Sequence, residues 1–120
     1  MLIFTLALAA PTALTDSHQR DIACVVEIAV LANAQKRGAS GGDDVRTDGR
    51  RWAGIVGDRI TSESGQPREL VAVAMTEAAK ARAGRPDAAA AALTACTQQM
   101  KRELAIADAA NAPLPKPMKP

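Results

Sequence analysis

A chain of 120 residues holds one domain. With 27 alanines, one Trp, one Phe and no Tyr, its composition suits helices rather than strands, which draw on β-branched and aromatic side chains. The formal charge is +2 with both signs interspersed, and no aromatic platforms lie between the basic residues, so nucleic acid is not an expected partner.

Residues Met1 to Leu14 carry no charged side chain before Asp16 and read as a secretory leader, with Ala7-Leu8-Ala9 or the bond after Ala13 as the cleavage site. The stretch is shorter than the roughly 20 residues a membrane span needs, so no stable insertion is expected once it is removed. No Lys or Arg precedes the apolar run, which implies an atypical leader or a start upstream of Met1. The alternative is an uncleaved, buried amphiphilic helix. Cys24 lies too far behind the apolar run to be a lipid-modified cysteine.

The domain proper is expected over residues 15–111 as four helices. The first runs from about Ser17 to Arg37, with Asp16 as N-cap, Gln19 as its capping-box partner and Gly38 as terminator. Ile22, Cys24, Val25, Val26, Ile28, Val30 and Leu31 leave it apolar almost all round, so it is predicted to be the central helix. Glu27 falls on its narrow polar arc and reads as solvent-facing, with a buried acid as the alternative. His18, the only histidine, reads as exposed; without a second His it makes neither a zinc site nor a triad.

A glycine-rich loop follows, and the second helix spans about Val45 or Asp48 to Ile60. Trp52, Ile55, Val56 and Ile60 share one face. Trp52 also follows Arg50 and Arg51, the pattern of a protein-binding hot spot, so these three are the candidate binding residues beside the reading of Trp52 as a core anchor. Gly54 and Gly57 are expected to admit a close neighbouring helix. Thr61 to Gln66 reads as a turn.

Pro67 suits the first position of the third helix, which ends at Ala83 with a predicted stripe of Leu70, Val73, Ala74 and Ala78; Arg82 is expected in solvent. The fourth helix opens at Pro86 and Asp87, continues to about Ala110, and carries Leu93, Cys96, Met100 and Leu104 on one stripe. The proline-rich tail, 112–120, is expected to be disordered.

Nineteen large apolar side chains lie within residues 15–111, a light core for a domain this size. In an exported chain Cys24 and Cys96 pair by default, closing a loop of 73 residues that contributes roughly 4–4.5 kcal/mol in the chain-entropy model. The fold class expected is therefore an all-α bundle stapled by one disulfide.

Two features, an early cysteine in the first helix and the run Ala95-Cys96-Thr97-Gln98 before a charged helix, resemble the periplasmic acid-stress chaperones of the HdeA type. That resemblance implies a small disulfide-linked helical domain that loosens at low pH and shields unfolding clients. It covers the cysteines and four contiguous residues; the glycine-rich loop, the second helix and the alanine load have no counterpart, and no client-binding residue carries over.

No catalytic constellation, cofactor loop or metal-ligand spacing is present in the sequence. The expected function is that of a periplasmic or secreted, non-enzymatic helical protein binding another envelope protein. Two alternatives stand beside it: an acid-stress chaperone, and a cytoplasmic helical regulator that retains its apolar N-terminus.

Overall fold

The computed structural model describes residues 13–39, 42–85 and 90–111. Among them are four helices and no strand: α1 Asp16–Lys36, α2 Arg46–Ser64, α3 Arg68–Ala83 and α4 Ala90–Ala110. The Met1–Leu14 leader falls outside the described residues up to position 12, as do the start of the fourth helix and the proline-rich tail.

The bundle is built on two helices rather than one. Both α1 and α2 touch all three others, whereas α3 and α4 do not meet among the described residues. Trp52, Val56 and Ile60 of α2 are fully buried beside Ile28 of α1, Val71 of α3, and Met100 and Leu104 of α4. The expected central position of α1 is thus shared. Its apolar circumference is not wholly covered, since Val30 is exposed.

Cys24 and Cys96 are disulfide-bonded, with 5.1 Å between their Cα atoms, and the bridge ties α1 to α4. The stripe of α4 is inward as predicted: Cys96, Met100 and Leu104 are buried and Leu93 is packed against the core.

The capping frame of α1 lies one residue earlier than the sequence suggested. Thr15, not Asp16, is the N-cap: its Oγ1 accepts the His18 N–H at 3.1 Å. The reciprocal bond runs from the Thr15 N–H to His18 Nδ1 at 3.3 Å. Histidine thus takes the place that Glu or Gln holds in the usual capping box. At the other end, the Gln35 side chain accepts the Val45 N–H and donates to the Asp43 carbonyl. That amide substitutes for the side-chain cap that α2 lacks, and it holds Val45 fully buried at the loop exit.

Residues 61–64 belong to α2 rather than to a turn. Ser64 is buried, its hydroxyl donating to the Ile60 carbonyl and accepting from the Gln66 N–H. The helix ends only at Gly65, whose φ of +70° is a left-handed cap. Pro67 stands at the N-cap of α3, one place before its predicted position.

The inward face of α3 differs from the predicted stripe. Val71 is buried and Ala74, Met75 and Ala78 pack on the core, while Leu70 and Val73 are 53% and 54% exposed. The apolar residues of α3 are dense enough to fit either face. The observed one continues from Val71 and Ala78 to Arg82, which meets Glu27 of α1.

Gly54 and Gly57 are not the close-approach glycines. A Cβ at Gly54 would have no atom within 4 Å, and one at Gly57 would meet only the methyl of Met75 at 3.9 Å. The close approach is at Gly49, where a Cβ would lie 2.8 Å from Cγ2 of the buried Ile28. Two alanine substitutions in one helix should therefore have opposite signs. Gly54→Ala is expected to raise stability by about 0.5–1 kcal/mol through helix propensity. Gly49→Ala is expected to lower it by about 1–3 kcal/mol through overpacking. Urea unfolding of the two proteins checks both.

Candidate functional site

The candidate binding residues Arg50, Arg51 and Trp52 are consecutive on α2, so each faces a different direction. Trp52 is fully buried and contributes no binding surface: of its two readings the core anchor holds, and the hot-spot reading does not. Arg51 is exposed and paired with Asp108 of α4. Arg50 is exposed and lines a groove between α1 and α2. The three residues do not form one patch.

What Trp52 reaches is a polar cluster that the sequence reading did not single out. Its Nε1–H donates to Glu103 Oε1 at 3.0 Å, and Arg59 Nη1 donates to the same oxygen at 2.7 Å. Arg59 Nη2 donates to Asp21 Oδ2 at 3.0 Å. Gln99 Nε2 completes the ring, donating to Asp21 Oδ1 and Glu103 Oε2, each at 2.9 Å. Three helices are joined by five side chains. The signal was present in their spacing: Arg59 lies seven residues after Trp52, and Glu103 four after Gln99, so each pair shares a face.

Burial alone would raise the Glu103 carboxyl, but hydrogen bonds from Arg59, Trp52 and Gln99 outweigh it and hold it below the usual carboxylate range. Burial likewise opposes the Arg59 charge, and Glu103 and Asp21 outweigh it, so the guanidinium is held more firmly protonated than usual. A carboxyl depressed in the folded state adds stability above its unfolded pKa and loses that stability as pH falls through the folded value. Glu103→Gln is thus expected to cost roughly 1–3 kcal/mol at neutral pH. The gap between the two proteins should close as the pH is taken down to about 2. Chemical denaturation at a series of pH values measures that closing.

Two other acids brace helix junctions. Glu27, expected in solvent, is largely buried and paired with Arg82, whose expected exposure is equally corrected. Both side chains sit where α3 crosses α1, and each supplies the charge that the other's burial demands. His18, expected to be exposed, is 5% exposed and its Nε2 lies 2.9 Å from Glu63 Oε1. Because Nδ1 accepts the Thr15 N–H, the ring proton sits on Nε2 and is donated to Glu63, joining the start of α1 to the end of α2. Outside these junctions Asp44, with a two-pronged bond from Arg46, is pushed down to about 2.

A groove of about 620 Å³ lies between α1 and α2. Its floor is small and apolar: Val25, Ala29 and Ala32 from α1, Gly49 and Ala53 from α2. Its rim carries Lys36, Arg46 and Arg50, with Asp44 as the one acid, already engaged by Arg46. Such a surface can hold a ligand by apolar contact and cationic pairing; it offers no nucleophile–base pair.

Among the described residues no group of three His, Cys, Asp or Glu side chains could hold a metal ion, and no helix is long and apolar enough to cross a membrane. No protein-family model, curated protein or solved structure matches the chain.

Proposed function

We propose that this is a small exported helical domain that acts by binding another protein of the cell envelope rather than by catalysis. The observation that carries the reading is the α1–α2 groove, an open, small-residue floor with a cationic rim. The disulfide supports an oxidising compartment, since structural disulfides persist there and are rare in the cytosol.

Two experiments test the two halves. N-terminal sequencing of the mature protein should begin after Ala9 or Ala13; retention of Met1 would remove the export argument. A photo-crosslinking residue at Ala29 in the groove should trap one defined envelope protein in cells, while the same residue at the exposed Ala79 of α3 should not. Identical capture patterns from both positions would sink the binding assignment.

A second reading, an acid-responsive chaperone, is favoured by a separate observation. Among the described residues six carboxylates, Asp21, Glu27, Asp58, Glu63, Glu103 and Asp108, join helix to helix. Protonating them removes cross-braces from a light core, which exposes apolar surface. An increase in apolar-dye binding, with suppression of client aggregation, near about pH 2–3 would support it. A domain that stays compact and inert there would dismiss it.

A further inference from the structure

We propose that the α1–α2 groove is the seat of an acidic, amphipathic helix of the partner protein. The inference rests on the binding role proposed above and names its chemistry. The geometry begins with α3. That helix lies over α1 through the hollow shared by Ile22, Val26, Ala74 and Ala78, and over α2 at Gly57 and Asp58. The groove is the next stretch of the same two helices, from Val25 to Lys36 on α1 and from Arg46 to Ala53 on α2. A third helix thus already rests on one end of this helix pair, and the other end is open.

Floor and rim residues recur at helical spacing on both walls: Val25, Ala29, Ala32 and Lys36 on one side, Arg46, Gly49, Arg50 and Ala53 on the other. Small side chains along both walls leave room for an apolar stripe to reach close to the backbone. Twelve residues of α1 at about 1.5 Å each give a seat of about 18 Å, roughly three turns of helix. A helix laid into a groove by its apolar face is an established mode of peptide recognition.

The rim decides the sign of the occupant. Arg46 is held by Asp44, and Lys36 and Arg50 have no acidic partner among the described residues. The rim therefore carries an uncompensated positive charge over an apolar floor. An occupant with glutamates or aspartates flanking a leucine or alanine stripe pairs with Lys36 and Arg50 as its stripe meets Ala29, Ala32 and Ala53.

The test uses the full-length, disulfide-bonded protein and two fluorescent 16-residue amphipathic peptides with the same leucine–alanine stripe. One is flanked by glutamates and the other by lysines, and binding is followed by anisotropy. The acidic peptide should bind, and its affinity should fall as salt is raised from about 50 to about 500 mM. Arg50→Glu should weaken it by about tenfold or more. Ala29→Phe should block it, with far-UV circular dichroism confirming that the variant is folded. Arg51→Glu, one residue away but outside the groove, should leave it unchanged.

Equal binding of both peptides, or an Arg50→Glu protein that binds as the parent does, would overturn the proposal. Binding of dodecanoate with neither peptide bound would assign the groove to a free anionic amphiphile and overturn it as well. Crosslinks from Ala29 to an envelope protein without acidic-peptide binding would remove the acidic helix and leave protein binding standing.

Discussion

Reducing the Cys24–Cys96 bridge should lower the free energy of unfolding by about 4 kcal/mol, the value the chain-entropy model assigns to a loop of this length. For a domain of this size that is a large part of the whole. The four helices bury few large side chains, and α3 contributes one fully buried residue, Val71. The Cys24→Ala/Cys96→Ala protein is therefore expected to be only marginally folded, with its urea midpoint shifted well below that of the oxidised parent. Equilibrium unfolding with and without reductant measures the difference directly. A shift below about 1 kcal/mol would mean that the helices hold each other without the staple.

Trp52→Ala should cost about 3–5 kcal/mol, the range for deleting a buried aromatic. Its ring is fully buried in the core cluster that holds Val56, Ile60 and Met100, and its N–H reaches Glu103 of α4, so removal leaves a cavity facing that helix. The substitution also strips Glu103 of one of its donors. Trp52→Phe keeps most of the ring volume while removing the indole N–H, so its cost should fall nearer 1–2 kcal/mol. Trp52 is the sole tryptophan, so its emission reports unfolding of the parent. The variants need circular dichroism instead.

Much of the fold was legible because its signals are local. On α4, Cys96, Met100 and Leu104 are spaced four apart with polar residues between them, and only one face fits. On α3 the apolar residues Leu70, Val71, Val73 and Met75 satisfy two faces, and the choice falls to Arg82 meeting Glu27, a partner 55 residues away. The start of α1 was ambiguous for a similar reason. Asp16 with Gln19 and Thr15 with His18 both make plausible capping frames, and the second is joined to Glu63 of α2.

The site was harder to read because it is made by what is small. Ala29, Ala32, Gly49 and Ala53 look in sequence like ordinary helix filler. Only the packing of α1 against α2, with Ile28 over Gly49, shows that the two runs face the same open space. Arg50 stands near Trp52 in sequence, yet its place on the groove rim owes nothing to that indole. A helix turns about 100° per residue, so neighbours in sequence belong to different surfaces.

The bridge between the first and last helices gives the chain the covalent topology of a ring with two free ends. Every residue from Cys24 to Cys96, and so all of α2 and α3, lies on that ring. A single peptide-bond cut anywhere on it opens the ring without releasing a fragment. Enzymes that clip the chain at one exposed point between the two cysteines leave the molecule whole, and only a second cut or a reductant sets a piece of the ring free.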